Sequence, residues 1–139
     1  MRRLGLTGVL VGAFFLLAGM GGGGDMPSSD TIPRPKERFT GDLIDRQGVT
    51  TRATYLACAG KTFFPLKRGE GILMVPFTKL VRVKFGAEKD TQVEATFQIE
   101  GGKELQGRLP HNAAITGATD YGNYQIELRG LREIVFVRQ

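Results

Sequence analysis

Past Phe39 the chain runs in short stretches where apolar and polar residues alternate, separated by closely spaced glycines. The clearest stretch sets Tyr124, Ile126 and Leu128 against Asn123, Gln125 and Glu127, the pattern of a strand with one face on a core and one in water. No stretch keeps an apolar stripe at helical spacing for three turns, so the pattern predicts an all-β protein. In the C-terminal part it places strands near residues 93–99, 104–109, 114–118, 123–128 and 132–137.

The alternation is written twice. GILMVPFTKLVRVKF (71–85) and GNYQIELRGLREIVF (122–136) align without a gap at a spacing of 51 residues. Leu73 falls on Tyr124, Val75 on Ile126, Phe77 on Leu128, Leu80 on Leu131, Val83 on Ile134 and Phe85 on Phe136. Upstream, Gly48, Thr51, Ala53 and Tyr55 fall on Gly102, Leu105, Gly107 and Leu109 at a spacing of 54. One connection absorbs the difference, 57–70 against 111–121, a change that loops tolerate cheaply. The expected organisation is two related five-stranded units, 39–86 and 93–139, forming either two small barrels or one merged β-sandwich.

The units differ in one strand. Where the second carries Asn123, Gln125 and Glu127 outward, the first carries Ile72, Met74 and Pro76, so both faces are apolar and one ladder donor is missing. Proline within a strand marks an edge or a bulge, and an apolar edge needs cover. The cover is expected from the chain's own Phe63-Phe64-Pro65-Leu66 segment or the partner unit, or else from another protein.

In the second unit Gly102-x-x-Leu105-x-Gly107-x-Leu109, followed by Ile126-x-Leu128-Arg129-Gly130, resembles the two motifs of the Sm-like small five-stranded barrels. The resemblance covers 93–137 and implies a small barrel. The positions after Leu109 that hold RNA in that family are Pro110-His111-Asn112-Ala113-Ala114 here, so the barrel is carried over and the RNA site is not.

Before the folded part, Arg2 and Arg3 precede an uncharged apolar run from Leu4 to Met20, the outline of an export signal over 1–24. At 1.5 Å per residue its 17 residues span about 25 Å, short of the roughly 30 Å of a bilayer core, which favours a cleaved signal over a retained inner-membrane anchor. Residues 25–38 hold Pro27, Pro33 and Pro35 and read as a linker. The expected location is periplasmic or extracellular. The single cysteine, Cys58, lies in the apolar run Tyr55-Leu56-Ala57-Cys58 and is expected to be buried, leaving the fold to packing alone.

Charge separates the units further. Residues 39–85 carry eight Lys or Arg against three carboxylates, whereas 93–139 carry five against six. With one histidine and one cysteine, no metal-ligand spacing, haem attachment or Cys–His nucleophile can be written, so no catalytic residue, metal or cofactor is expected. The leading expectation is a non-catalytic binding or structural module of the bacterial cell envelope. Its candidate surface is Phe63, Phe64, Ile72 and Met74 with Lys67, Arg68, Lys79 and Arg82 nearby, and its partner an envelope protein or a second copy. The alternative is binding of an anionic polymer or membrane surface by the basic unit. No aromatic residues interleave with the basic ones, which argues against nucleic acid.

Overall fold

The computed structural model describes residues 35–137; the expected export segment and all but the last four residues of the expected linker lie outside the described residues. Ten strands follow one another: β1 (Thr40–Asp45), β2 (Thr50–Cys58), β3 (Phe63–Arg68), β4 (Gly71–Pro76), β5 (Leu80–Lys89), β6 (Gln92–Ile99), β7 (Lys103–Pro110), β8 (Ala114–Thr119), β9 (Gly122–Glu127) and β10 (Leu131–Val137). One-turn 3₁₀ helices, Phe77–Lys79 and Leu128–Gly130, link β4 to β5 and β9 to β10. The five C-terminal strands fall where alternation places them, and the fold among the described residues is all-β.

The strands pair antiparallel in the order β4-β3-β7-β6-β5-β10-β1-β2-β8-β9, one sheet that curls into a half-barrel. This differs from both expected arrangements, two barrels or two facing sheets, because the two sequence halves exchange partners. Strands β1 and β2 pair with β10 and β8, while β6 and β7 pair with β5 and β3. The four-residue link after β2 explains part of the exchange. Ala59 and Gly60 take positive φ values of 50° and 80°, and Cys58 and Lys61 exchange backbone hydrogen bonds, so the chain leaves β8 and re-enters the sheet beside β7. Strands β5 and β10 meet at the centre through Val83 and Ile134.

The matched spacing reappears in the ladders. Hairpin β3–β4 runs from Phe63↔Pro76 to Arg68↔Gly71, and hairpin β8–β9 runs from Ala114↔Glu127 to Thr119↔Gly122, every position 51 residues on. Two of the register shifts fall where β5 and β10 begin, at Leu80/Arg82 and opposite Ile44/Asp45. Each shift changes the phase of the inward set, which is why Leu80, Val83 and Phe85, like Leu131, Ile134 and Phe136, are the buried residues of their strands.

The concave face holds the core, with Leu43, Phe64, Leu66, Phe97, Leu109 and Ile115 all at 1% exposure or less. Phe77 is its hub. From the first 3₁₀ turn it meets Phe64 at 5.0 Å, Phe136 at 5.3 Å and Phe39 at 5.5 Å between ring centroids, so one side chain ties β3 to β10 across the curl.

Cys58 is buried at 2% exposure, as its apolar surroundings predict, and burial pushes its thiol up to about 12 from an ordinary 9.0. Only the neutral thiol suits the folded state. Its contribution to stability is therefore complete below pH 9 and erodes as pH climbs toward about 12. The native protein is expected to resist an aromatic disulfide reagent at pH 8 and to react fully once unfolded in guanidinium; rapid reaction of the native form would contradict this burial.

Candidate interaction surface

Strand β4 lies at one end of the sheet and β9 at the other, so both have one unpaired side. Pro76 belongs to an edge strand, where the missing donor costs least. The hydrogen-bond phase fixes which groups face outward. Phe77 N–H donates to Thr62 O at 2.9 Å, so the residues of β4 that exchange bonds with β3 are Val75, Leu73 and Gly71. Ile72, Met74 and Pro76 turn their main-chain groups to the open side. Proline has no N–H, which leaves the donors of Ile72 and Met74.

The same residues present their side chains on the convex face. Across the hairpin Phe63 stands opposite Pro76, Pro65 opposite Met74 and Lys67 opposite Ile72. Ile72 is 61% and Met74 57% exposed, with Phe63 and Pro65 half-buried, so the chain's own segment lies beside β4 and does not cover it. The expected internal cover is thus corrected: the 63–66 segment is spent as strand β3. At the matched places of β8–β9 stand Ala114 with Glu127, Thr116 with Gln125 and Ala118 with Asn123, a small and polar set.

Two residues of the expected surface belong elsewhere. Phe64 is fully buried, packed on Phe77 and Phe97, because it faces the core from the inward phase of β3. Arg82 sits on central strand β5, four strands from β4 or about 19 Å at normal strand spacing, and its Nε lies 2.8 Å from Glu133 Oε2. Lys79 ends the first 3₁₀ turn and borders an apolar hollow of about 230 Å³ that residues 73–76 of β4 line with Ile99 and Leu105. Leu73, 42% exposed, lines that hollow, so β4 is wetted on both faces. Lys67 and Arg68 gather with Arg108 of β7 in a polar groove beside the hairpin. Pro65, Leu73 and Arg108 are the residues that sequence reasoning missed.

Among the described residues no three His, Cys, Asp or Glu side chains are placed to hold a metal ion, and no helix is long and apolar enough to cross a membrane. His111 Nδ1 contacts Glu88 Oε2, joining the β7–β8 link to β5, and the main-chain N–H of His111 donates to Thr91 O at 3.1 Å.

These features define a class: an all-β half-barrel with one apolar and one polar open edge. The chain belongs to the family described as "Uncharacterised protein", whose model matches residues 35–139. No curated protein matches it.

Proposed function

We propose that the protein is an exported, non-catalytic binding module in which one of two five-stranded repeats has been adapted to hold a partner. The partner is an envelope protein that contributes an extended apolar segment to the open side of β4. The observation that carries this reading is the contrast between matched hairpins: one register and one edge position, with Ile72, Met74 and Pro76 where the other has Asn123, Gln125 and Glu127. A purely structural edge gains nothing by replacing polar with apolar residues in water, and natural edges favour charge for that reason. The outward main-chain N–H and C=O groups of Ile72 and Met74, with flanking apolar side chains, are what strand addition uses. Export is supported by Arg2, Arg3 and the apolar run after them.

The test compares wild type with Met74→Asp and the matched control Gln125→Asp. Capture from envelope extract by the full chain is expected to fall roughly tenfold or more in Met74→Asp and to be unchanged in the control. It should also survive high salt, since an apolar contact is not screened. Sedimentation of the isolated protein separates the second-copy reading: a dimer dissociated by Met74→Asp would assign the edge to another copy. Capture that is indifferent to Met74→Asp would end the strand-addition reading.

A further inference from the structure

On the convex face, beside the hairpin, β3, β7 and β6 enclose an open groove of about 830 Å³. Lys67 and Arg108 stand opposite each other across β3 and β7, Arg68 follows at the turn, and Thr96 and Gln106 supply a hydroxyl and an amide along the wall. Glu94 is the one carboxylate there, registered with Arg108. The four ion pairs among the described residues, Asp42–Arg52, Arg82–Glu133, Glu88–His111 and Glu127–Arg129, use none of the three cations. Lys84 of β5, registered with Thr96 on one side and Glu133 on the other, places a further cation two strands from Gln106, about 10 Å away.

The matched region of the other half is closed on itself. At a spacing of 54, Gln106 and Thr96 correspond to Arg52 and Asp42, which form a two-point ion pair at 2.8 and 2.9 Å. That pairing holds the Asp42 carboxyl below its ordinary range, chiefly through the hydrogen bond from Arg52. Arg108 and Glu94 correspond to Thr54 and Thr40, whose hydroxyls hydrogen-bond at 2.9 Å. Lys67 and Arg68 correspond to Ala118 and Thr119. One region consumes its polar groups internally, and in the other three cations stand outside the ion pairs.

We infer that the β3–β7 groove binds a linear polymer that carries phosphate groups. Guanidinium and ammonium donors reach it from two strands, Lys67 and Arg68 at the end of β3 and Arg108 on β7. A tetrahedral phosphate accepts from such divergent directions, whereas a carboxylate offers one plane to a single fork. The separate cation at Lys84 calls for repeated anionic groups along a chain, and a depression between strands admits a chain more readily than a flat lipid surface.

Titration of the full chain with polyphosphate, by calorimetry at about 50 and 200 mM salt, tests this. Wild type is expected to bind. Lys67→Gln with Arg108→Gln should weaken binding about tenfold or more at the lower salt and reduce the salt slope by about 2. Lys61→Gln with Lys89→Gln, an equal charge loss on exposed sites away from the groove, should stay within about twofold. Thermal melts show that each variant is folded, and Arg108→Gln alone carries the test should the double variant not fold. Met74→Asp is expected to bind polyphosphate as wild type does, so this site and the β4 edge fail or stand separately. The inference is overturned if wild type does not bind, if the Lys61/Lys89 variant loses as much, if polyglutamate of equal length binds as tightly, or if phosphatidylglycerol vesicles bind where polyphosphate does not.

Discussion

Phe77→Ala is expected to destabilise the fold by about 3–5 kcal/mol and to lower Tm by at least about 12 °C. The side chain is 2% exposed and touches three rings from three separate parts of the chain, Phe39, Phe64 and Phe136. Truncation removes the buried area and leaves a cavity that β3 and β10 cannot close together, since each is fixed in its own ladder. The matched residue Leu128 is also fully buried but is smaller and has no ring to join the aromatic cluster, so Leu128→Ala, at about 2–5 kcal/mol, should fall below Phe77→Ala. Urea unfolding decides the matter. A shift of midpoint without a change in slope is expected, and a loss under about 1 kcal/mol for Phe77→Ala would show that the ring does not bridge the curl.

Gly107→Val is expected to cost about 1–3 kcal/mol, with the damage concentrated in the β3–β4 hairpin. A Cβ at this position would lie 2.5 Å from Lys67 O and 2.8 Å from Leu66 Cγ. The first of these is main chain and cannot swing aside, so β3 itself must move. Little holds it. Pro65 has no N–H, and on the β7 side β3 has the single registered pair Lys67↔Arg108. Hydrogen exchange should accelerate in β3 and β4 and stay slow in β1, β2 and β8. Uniform acceleration across the sheet would mean that the hairpin does not open as a unit. The variant should also weaken polyphosphate binding, because Lys67 and Arg108 face each other only while this junction is closed.

Much of the strand pattern was legible. Alternation located β6 to β10, and the spacing of 51 anticipated that β4, the 3₁₀ turn and β5 would mirror β9, its turn and β10, because side-chain period and turn chemistry are local properties. The outward phase of Ile72, Met74 and Pro76 was readable by comparison with Asn123, Gln125 and Glu127. Phe64 was misplaced because Phe63-Phe64-Pro65-Leu66 is apolar at every position and carries no phase of its own; the register Phe64↔Val75 supplies it. Arg82 was misplaced because nearness along the chain to Lys79 stood in for nearness in space, while the register shift after Leu80 and the pairing with Glu133 hold it at the centre of the sheet.

By itself the sequence determined that the chain folds as strands, which residues turn inward in most of them, and that two matched hairpins differ in the polarity of one strand. Tertiary structure alone decided that the two halves exchange partners into one curled sheet, that Ile72 and Met74 stay uncovered, and that Arg108 comes to face Lys67. The physical reason is that alternation records the face of each residue, whereas pairing depends on which distant edge offers free hydrogen-bonding groups and a side chain small enough, here Gly107, to let two strands meet.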